Sequence, residues 1–280
     1  MEFLELNNGV KMPILGFGTY QITEPNKCEE CIINALEVGY RLIDTAQAYG
    51  NEETIGNAIK HSGVSREELF ITTKLWFREY ETENAEKAIA MSMQKLKLDY
   101  IDMVLLHWPF GNIYSAWRVL EKFYKQGKIK AIGISNFDID RMIDFINFNE
   151  IKPALNQIET HLFCQRKNEH KWLEKYGVIH QGYAPLGQGK ANDMFENDDI
   201  KKIAEKYNKT PAQTALRFLI QSGISVIPKS THIKRIKENI DIFDFELTSD
   251  EMKVLQQIDT GKPMIGQAEN PETVEYAMTW

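Results

Sequence analysis

Short runs of β-branched and other apolar residues recur along the chain, at RLID, LFITTK, DMVLLH, KAIGIS, VIHQGY and ISVIPK. Between them lie longer stretches whose apolar positions follow a helical period, among them NEETIGNAIKHSG, ENAEKAIAMSMQKL and YSAWRVLEKFYKQG. A short apolar run followed by a helical pattern reads as a βα unit, and its repetition predicts a parallel sheet. Helix starts are marked independently. Ser65 with Glu68, Thr210 with Gln213 and Thr248 with Glu251 have capping-box spacing, and Pro211 suits a first helical turn.

The polar residues that end the runs carry more information than the runs. Asp44, Lys74, His107, Ser135, Glu159, Tyr183 and Lys229 close successive predicted strands, at intervals of 30, 33, 28, 24, 24 and 46 residues. Most intervals have the length of one βα unit, and the last leaves room for a further helix around TPAQTALRFLIQ. In a parallel barrel every C-terminal strand end lies on one face, where active sites are built. Residues far apart in the chain are thereby expected at one mouth. A length of 280 residues, with no linker or low-complexity segment, predicts a single barrel domain over residues 1–280. The rival, a doubly wound sheet, announces itself by G-x-G-x-x-G after its first strand, and the segment Gly16 to Gln21 lacks the last glycine. Tyr124 and Lys128 have the spacing of a short-chain dehydrogenase pair but fall at a helix end, which makes the match a coincidence of spacing.

Composition narrows the function. Apolar residues make up 43% and charged residues 26%, the balance of a folded globular chain, and no stretch approaches the length of a membrane helix. A net charge of −7 argues against nucleic acid, whose binding draws on basic patches. The N-terminal MEFLELNNGV has neither a basic leader nor an apolar core, so a cytoplasmic location is expected. Three cysteines fit reduced thiols rather than a disulfide framework. Cys28 and Cys31 form a C-x-x-C, but in a helix-like run with no second pair, so they are read as packing residues.

Asp44, Tyr49, Lys74 and His107 together suit carbonyl reduction. Hydride addition creates an alkoxide that needs a proton as its charge develops. A tyrosine can supply it if its pKa of about 10 is lowered, and a neighbouring ammonium favours the phenolate. Tyr49 is therefore expected as the acid, Lys74 as the group that acidifies it, and Asp44 as the partner that holds Lys74. His107, as neutral imidazole, is expected to orient the carbonyl oxygen. Each residue alone has an ordinary structural reading; their common placement at strand ends favours the chemical one. Lys229, His232, Lys234, Arg235 and Lys237 fall close together in an otherwise acidic chain, beside Ser230 and a predicted helix start. A dianionic 2′-phosphate wants such donors, so NADPH is expected over NADH, with Arg235 making the contact.

The segments GYRLIDTAQAYGNEETIGNAI, LFITTKLW, MVLLHWP, GKIKAIGISNF, NQIETH and IPKSTHIKRIKEN resemble, in order and spacing, the signatures of the aldo-keto reductase family. The resemblance covers most of the chain. The short segment after HWP and the close after NPETVEYAMTW resemble the small bacterial 2,5-diketogluconate-reductase-like branch. It implies a (β/α)8 TIM barrel with an N-terminal β-hairpin, FLELNNGVKMP, over the bottom, additional C-terminal helices, and NADP(H) across the top. It also implies a catalytic tetrad of Asp44, Tyr49, Lys74 and His107. The nicotinamide carboxamide is implied at Ser135, Asn136 and Gln157, and the ring against Tyr183. Gly18 and Thr19 are implied at the nicotinamide ribose, and Leu186, Gly187 and Gln188 at the pyrophosphate. The adenosine end is implied at Lys229, Ser230, His232, Arg235, Glu238 and Asn239. Tyr20, Trp76, His107, Trp108 and Phe110 are expected to line an aromatic substrate pocket.

The expected function is thus NADPH-dependent reduction of aldehydes and ketones by a monomer, with a small carbonyl compound as the partner and no nucleic acid or membrane. The alternative is a cofactor-binding sensor or auxiliary subunit on the same barrel with negligible turnover. No His/Asp/Glu cluster has metal-ligand spacing, so no metal is expected.

Overall fold

The computed structural model describes residues 1–189, 192–265 and 268–279. The chain opens with an antiparallel hairpin, β1 (Phe3–Glu5) and β2 (Lys11–Pro13), which turns at Gly9 with φ +83°. Asn7 and Asn8 at its tip donate to the carbonyls of Pro153 and Lys130, at the N-terminal ends of two later strands. Leu6 and Met12 are buried with Leu42, Phe70, Met103, Leu105 and Leu155, so the hairpin plugs the bottom of the barrel with apolar side chains.

The barrel strands are β3 (Phe17–Gly18), β4 (Leu42–Asp44), β5 (Phe70–Leu75), β6 (Ile101–Leu106), β7 (Ile129–Ser135), β8 (Leu155–Glu159), β9 (Ile179–Tyr183) and β10 (Ser225–Val226). All pair in parallel, each with its neighbour in sequence. The ring closes where Leu15 bridges Val226, with Gly16 N donating to Val226 O at 2.9 Å and Gly18 N to Pro228 O at 3.1 Å. Gly18 permits that seam, since a Cβ there would lie 2.7 Å from Ile227 O.

Helices follow the strands: α1 (Pro25–Glu37), α2 (Glu52–Ser62), α3 (Thr82–Leu96), α4 (Ile113–Lys125), α5 (Ile139–Asn147), α6 (Lys167–Tyr176), α7 (Asn192–Glu196), α8 (Asp198–Lys206), α9 (Pro211–Gln221), α10 (Ile233–Ile240), α11 (Ser249–Gln257) and α12 (Pro271–Ala277). The boxes at Thr210 and Thr248 form in full, and Pro211 sits in the first turn of α9. Cys28 and Cys31 are buried, unpaired thiols on α1, as their helical context predicts, and burial pushes the Cys28 thiol up to about 12.

Two expectations need correction. Ser65 precedes and Glu68 ends a single 3-10 turn, Arg66–Glu68, without a side-chain cap bond, because Phe70 already starts a strand and leaves no room for a helix. Lys229 lies beyond β10, which ends at Val226, because Pro228 cannot donate to a ladder. The long interval before it holds α7 and α8 as well as α9. Tyr124 lies in the last turn of α4 and Lys128 just before β7, at the opposite end from the strand termini that carry Asp44 and Ser135, in keeping with a coincidence of spacing. Among the described residues, no helix is long and apolar enough to cross a membrane.

Candidate active site

The C-terminal ends of the strands open on a cleft of about 1470 Å³. Asp44 ends β4 and Lys74 is the penultimate residue of β5; Lys74 Nζ donates to Asp44 Oδ1 at 2.5 Å and to Thr45 O at 3.0 Å. Tyr49 stands on a 3-10 turn, Gln47–Tyr49, closed by Gly50 at φ +68°. Gln47 braces that turn: its amide nitrogen donates to Ala88 O and Ser92 Oγ on α3, and its amide oxygen accepts from Trp76 N at 3.0 Å. The result places the Tyr49 hydroxyl 3.4 Å from Lys74 Nζ, with the ammonium also 5.0 Å from the ring centre. His107 follows β6, with its ring 5.7 Å from that of Tyr49 at 74° and 5.2 Å from that of Trp76. All four residues of the expected tetrad therefore meet. Asp44, Tyr49 and His107 face the cleft, whereas Lys74 is wholly buried behind them.

Electrostatics sharpen this picture and change one part of it. Burial holds the Tyr49 phenol well above its ordinary value, and the Asp44 carboxylate pushes the same way. The expected acidification by Lys74 is not a property of the resting site, because Asp44 already balances the ammonium. Burial lowers the Lys74 ammonium against the opposing pull of Asp44. Burial and then the Lys74 charge keep His107 well below its usual pKa, so the imidazole is neutral as expected. Its Nδ1 is buried without a hydrogen-bond partner.

A chain of amides extends from Asp44 across the mouth. Gln157 Nε2 donates to Asp44 Oδ2 at 2.8 Å and to Gln181 Oε1 at 2.7 Å, and Gln181 donates onward to Ser225 Oγ. Ser135 Oγ donates to Gln157 O, Asn136 Nδ2 to His107 O, and Tyr183 OH to Asn136 Oδ1. The sequence pointed to Gln157 but not to Gln181, in the middle of β9, or Ser225, which opens β10; both are buried, with no motif to mark them.

Gly18, Thr19, Ser135, Asn136, Gln157 and Tyr183 all line the same cleft, as do Leu186 and Gln188. Gly187 does not; it is buried in the turn beneath, at φ +71°. Toward the rim the cleft is lined by Lys229, Ser230, His232, Arg235, Glu238 and Asn239, at and before the start of α10. Ser230 Oγ accepts from His232 N at 3.1 Å, and Glu238 accepts from Thr210 Oγ1 at 2.7 Å. A cofactor with a polyanionic end fits this residue set. Exposed Lys229 and Arg235 and a helix start without a side-chain cap stand at one end, and an orphaned imidazole nitrogen at the other.

Of the residues expected at the substrate pocket, Tyr20, Trp76, His107 and Trp108 line the cleft. Phe110 is a correction. It is buried, stacked on Trp108 at 5.4 Å and set against Phe77 at 5.6 Å, so it backs the wall instead of forming it. Sequence reasoning missed the contribution of the C-terminal segment, from which Ile265, Asn270, Thr273 and Tyr276 line the cleft. No periodic signal connects that segment to the strand ends. Among the described residues no group of His, Cys, Asp and Glu could hold a metal ion.

Known reductases resemble the chain over most of its length. The chain is 43% identical over 252 residues to a glyoxal reductase of Bacillus subtilis, with 90% of each chain covered. It is 42% identical over 262 residues to a methylglyoxal reductase of Yersinia pestis, covering 92% of this chain and 93% of the relative. Among solved structures it resembles an aldo-keto reductase from a Medee basin deep-sea metagenome library, with TM-score 0.93, 42% identity, and 95% and 98% of the two chains covered. A Bombyx mori aldo-keto reductase in complex with NADP matches with TM-score 0.90 at 31% identity, covering 95% of each chain. Residues 14–260 match the model of the Aldo/keto reductase family, and the chain belongs to that family.

Proposed function

We propose that this NADP(H)-dependent aldo-keto reductase reduces small aldehydes and α-dicarbonyls, methylglyoxal and glyoxal among them, with Tyr49 as the proton donor and NADPH preferred over NADH. The observation that carries the reading is the 3.4 Å approach of the Tyr49 hydroxyl to an ammonium that is itself locked to Asp44, at the base of a cleft with cations at its rim. The glyoxal and methylglyoxal reductases it resembles over nine-tenths of its length supply the substrate class.

A nicotinamide held in this cleft would supply the hydride that the carbonyl carbon takes up. Tyr49 holds the proton that the carbonyl oxygen must receive, and its raised pKa keeps that proton in place until negative charge develops beside it. As the proton leaves, Lys74, itself wholly buried, stabilises the phenolate across 3.4 Å. Asp44 fixes the ammonium in position, and neutral His107 offers a hydrogen bond that orients the carbonyl oxygen. Ser135, Asn136 and Gln157 would hold the carboxamide, Tyr183 the ring, and Lys229 with Arg235 the 2′-phosphate.

The alternative of a sensor or auxiliary subunit has no observation in its favour. The test is the decay of NADPH absorbance over methylglyoxal, glyoxal and larger aldehydes, with parent and Tyr49→Phe proteins. Loss of one general acid should lower kcat by roughly 10²- to 10⁴-fold while NADPH still binds. Retained turnover in Tyr49→Phe would overturn the assignment.

A further inference from the structure

The C-terminal segment reaches the cleft from an unexpected quarter. After α11 it is pinned at Thr260, whose N and Oγ1 both donate to Phe163 O, at 3.0 and 2.8 Å. It then meets Glu159, the last residue of β8. The Glu159 carboxylate accepts from Met264 N at 2.5 Å and from Ile265 N at 3.1 and 3.0 Å, and His161 Nε2 lies 3.1 Å from Oε1. This clasp is out of water, with both the Glu159 and His161 side chains at 0% exposure. Past it, the segment runs beside the end of β7, where Ala268 and Glu269 share a small hollow with Asn136 and Asp138. Its far end is held by Arg78, which donates to Met278 O at 2.7 Å just beyond β5.

The two anchors decide the path. A segment tied at β8 and again beyond β5 must cross above β6 and β7, the strands that present His107 and Ser135. It accordingly contributes Ile265 and Tyr276 to the lining of the cleft that Trp76 and Trp108 also line. A carboxylate is well suited to the clasp, because an acceptor-only group can take two adjacent backbone N–H donors that would otherwise stand unpaired at the barrel rim.

We propose that Glu159 is a positioning residue for the substrate site: its carboxylate docks the Met264–Ile265 backbone and so sets the wall against which larger carbonyl substrates bind. The proposal rests on the reading of this cleft as the carbonyl site. Burial by itself would raise the Glu159 carboxyl, yet the bonds from His161, Met264 and Ile265 hold it below its usual range, so the clasp stays ionised through neutral pH. Glu159 touches none of the tetrad side chains in the hydrogen bonds described above, which separates its effect from the chemical step.

Glu159→Gln, Glu159→Asp and the parent should be compared by amide hydrogen exchange and by kinetics with methylglyoxal and phenylglyoxal. In Glu159→Gln an amide nitrogen replaces one acceptor oxygen, so exchange at Met264 and Ile265 should accelerate about tenfold or more. KM for phenylglyoxal should rise about three- to tenfold, while KM for methylglyoxal, kcat for both and NADPH affinity stay within about twofold. Glu159→Asp, which keeps the charge on a shorter arm, should fall between, and it carries the test if Glu159→Gln does not fold. Unchanged exchange at residues 264 and 265 would refute the clasp. Faster exchange with an unchanged ratio of the two KM values would refute its role in substrate binding, and so would a parallel fall in kcat, NADPH affinity and Tm. Failure of the parent to reduce either dicarbonyl would instead count against the proposed function, while exchange would still read the clasp.

Discussion

Lys74 and Asp44 form an ion pair almost wholly removed from water, with side-chain exposures of 0% and 2% and a separation of 2.5 Å. Such a pair gains little net stability over apolar packing, but breaking it leaves one charge stranded. Here the pair also stands directly behind Tyr49, so its geometry and the proposed chemistry are inseparable.

Removing only the carboxylate should therefore be costly. Asp44→Asn strands the Lys74 ammonium and should destabilise the chain by about 3–5 kcal/mol, measured by urea unfolding. The double variant Asp44→Asn/Lys74→Met should be more stable than Asp44→Asn alone, since no buried charge remains. A double variant as unstable as the single would show that the stranded charge is not the cause.

Arg235 is exposed at the start of α10 and lines the rim of the cleft. Arg235→Ala should raise KM for NADPH about tenfold or more, the worth of a charge-assisted bond to phosphate, and leave KM for NADH nearly unchanged. Steady-state kinetics with both cofactors check this. Equal losses for both would place the 2′-phosphate elsewhere.

Asp138, before α5, faces Glu269 of the C-terminal segment, with Asp140 and Arg166 also nearby. Burial and then Glu269 push its carboxyl from an ordinary 3.8 up to about 7. Between these values the folded chain holds a proton that the unfolded chain releases, so this group's contribution to stability falls as pH rises through the window. Asp138→Asn should accordingly stabilise the protein at pH ~8 and have little effect at pH ~4. Denaturation midpoints at the two pH values are the measurement; the same shift at both would show that the carboxyl does not titrate in that window.

Gly56 brings α2 against the end of α3, where an added Cβ would lie 2.6 Å from Lys95 O and 2.7 Å from Leu96 O. Backbone on both sides cannot yield as a side chain would. Gly56→Ala should lower stability by about 1–3 kcal/mol, seen as a reduced Tm, with kcat unaffected. An unchanged Tm would mean the helices can separate at no cost.

Legibility differed from one part of the chain to another. RLID, LFITTK and DMVLLH announce β4, β5 and β6 because a strand buried on both faces is a nearly unbroken apolar run. The two-residue β3 left no such trace: Phe17 and Gly18 make a strand only through their pairing with Ile43 and Asp44 of β4, which holds them at the seam of the ring. Of the site, Asp44, Lys74 and His107 could be read because a polar residue at the end of a buried strand is conspicuous. Phe110 was misplaced by adjacency alone, since closeness to Trp108 in sequence does not say which ring faces the cleft.

Taken by itself, the order of apolar runs and helical segments determined the parallel ring, the common face of its strand ends, and the identity of the residues gathered there. Local pattern suffices for this because strand period and connection handedness leave few arrangements for repeated βα units. Only the tertiary structure decided the charge state of Tyr49 at rest, the depth of Lys74, and the passage of the C-terminal segment over β6 and β7. Those depend on desolvation and on contacts such as Glu159 with Ile265, made between positions more than 100 residues apart, about which neighbouring residues carry no information.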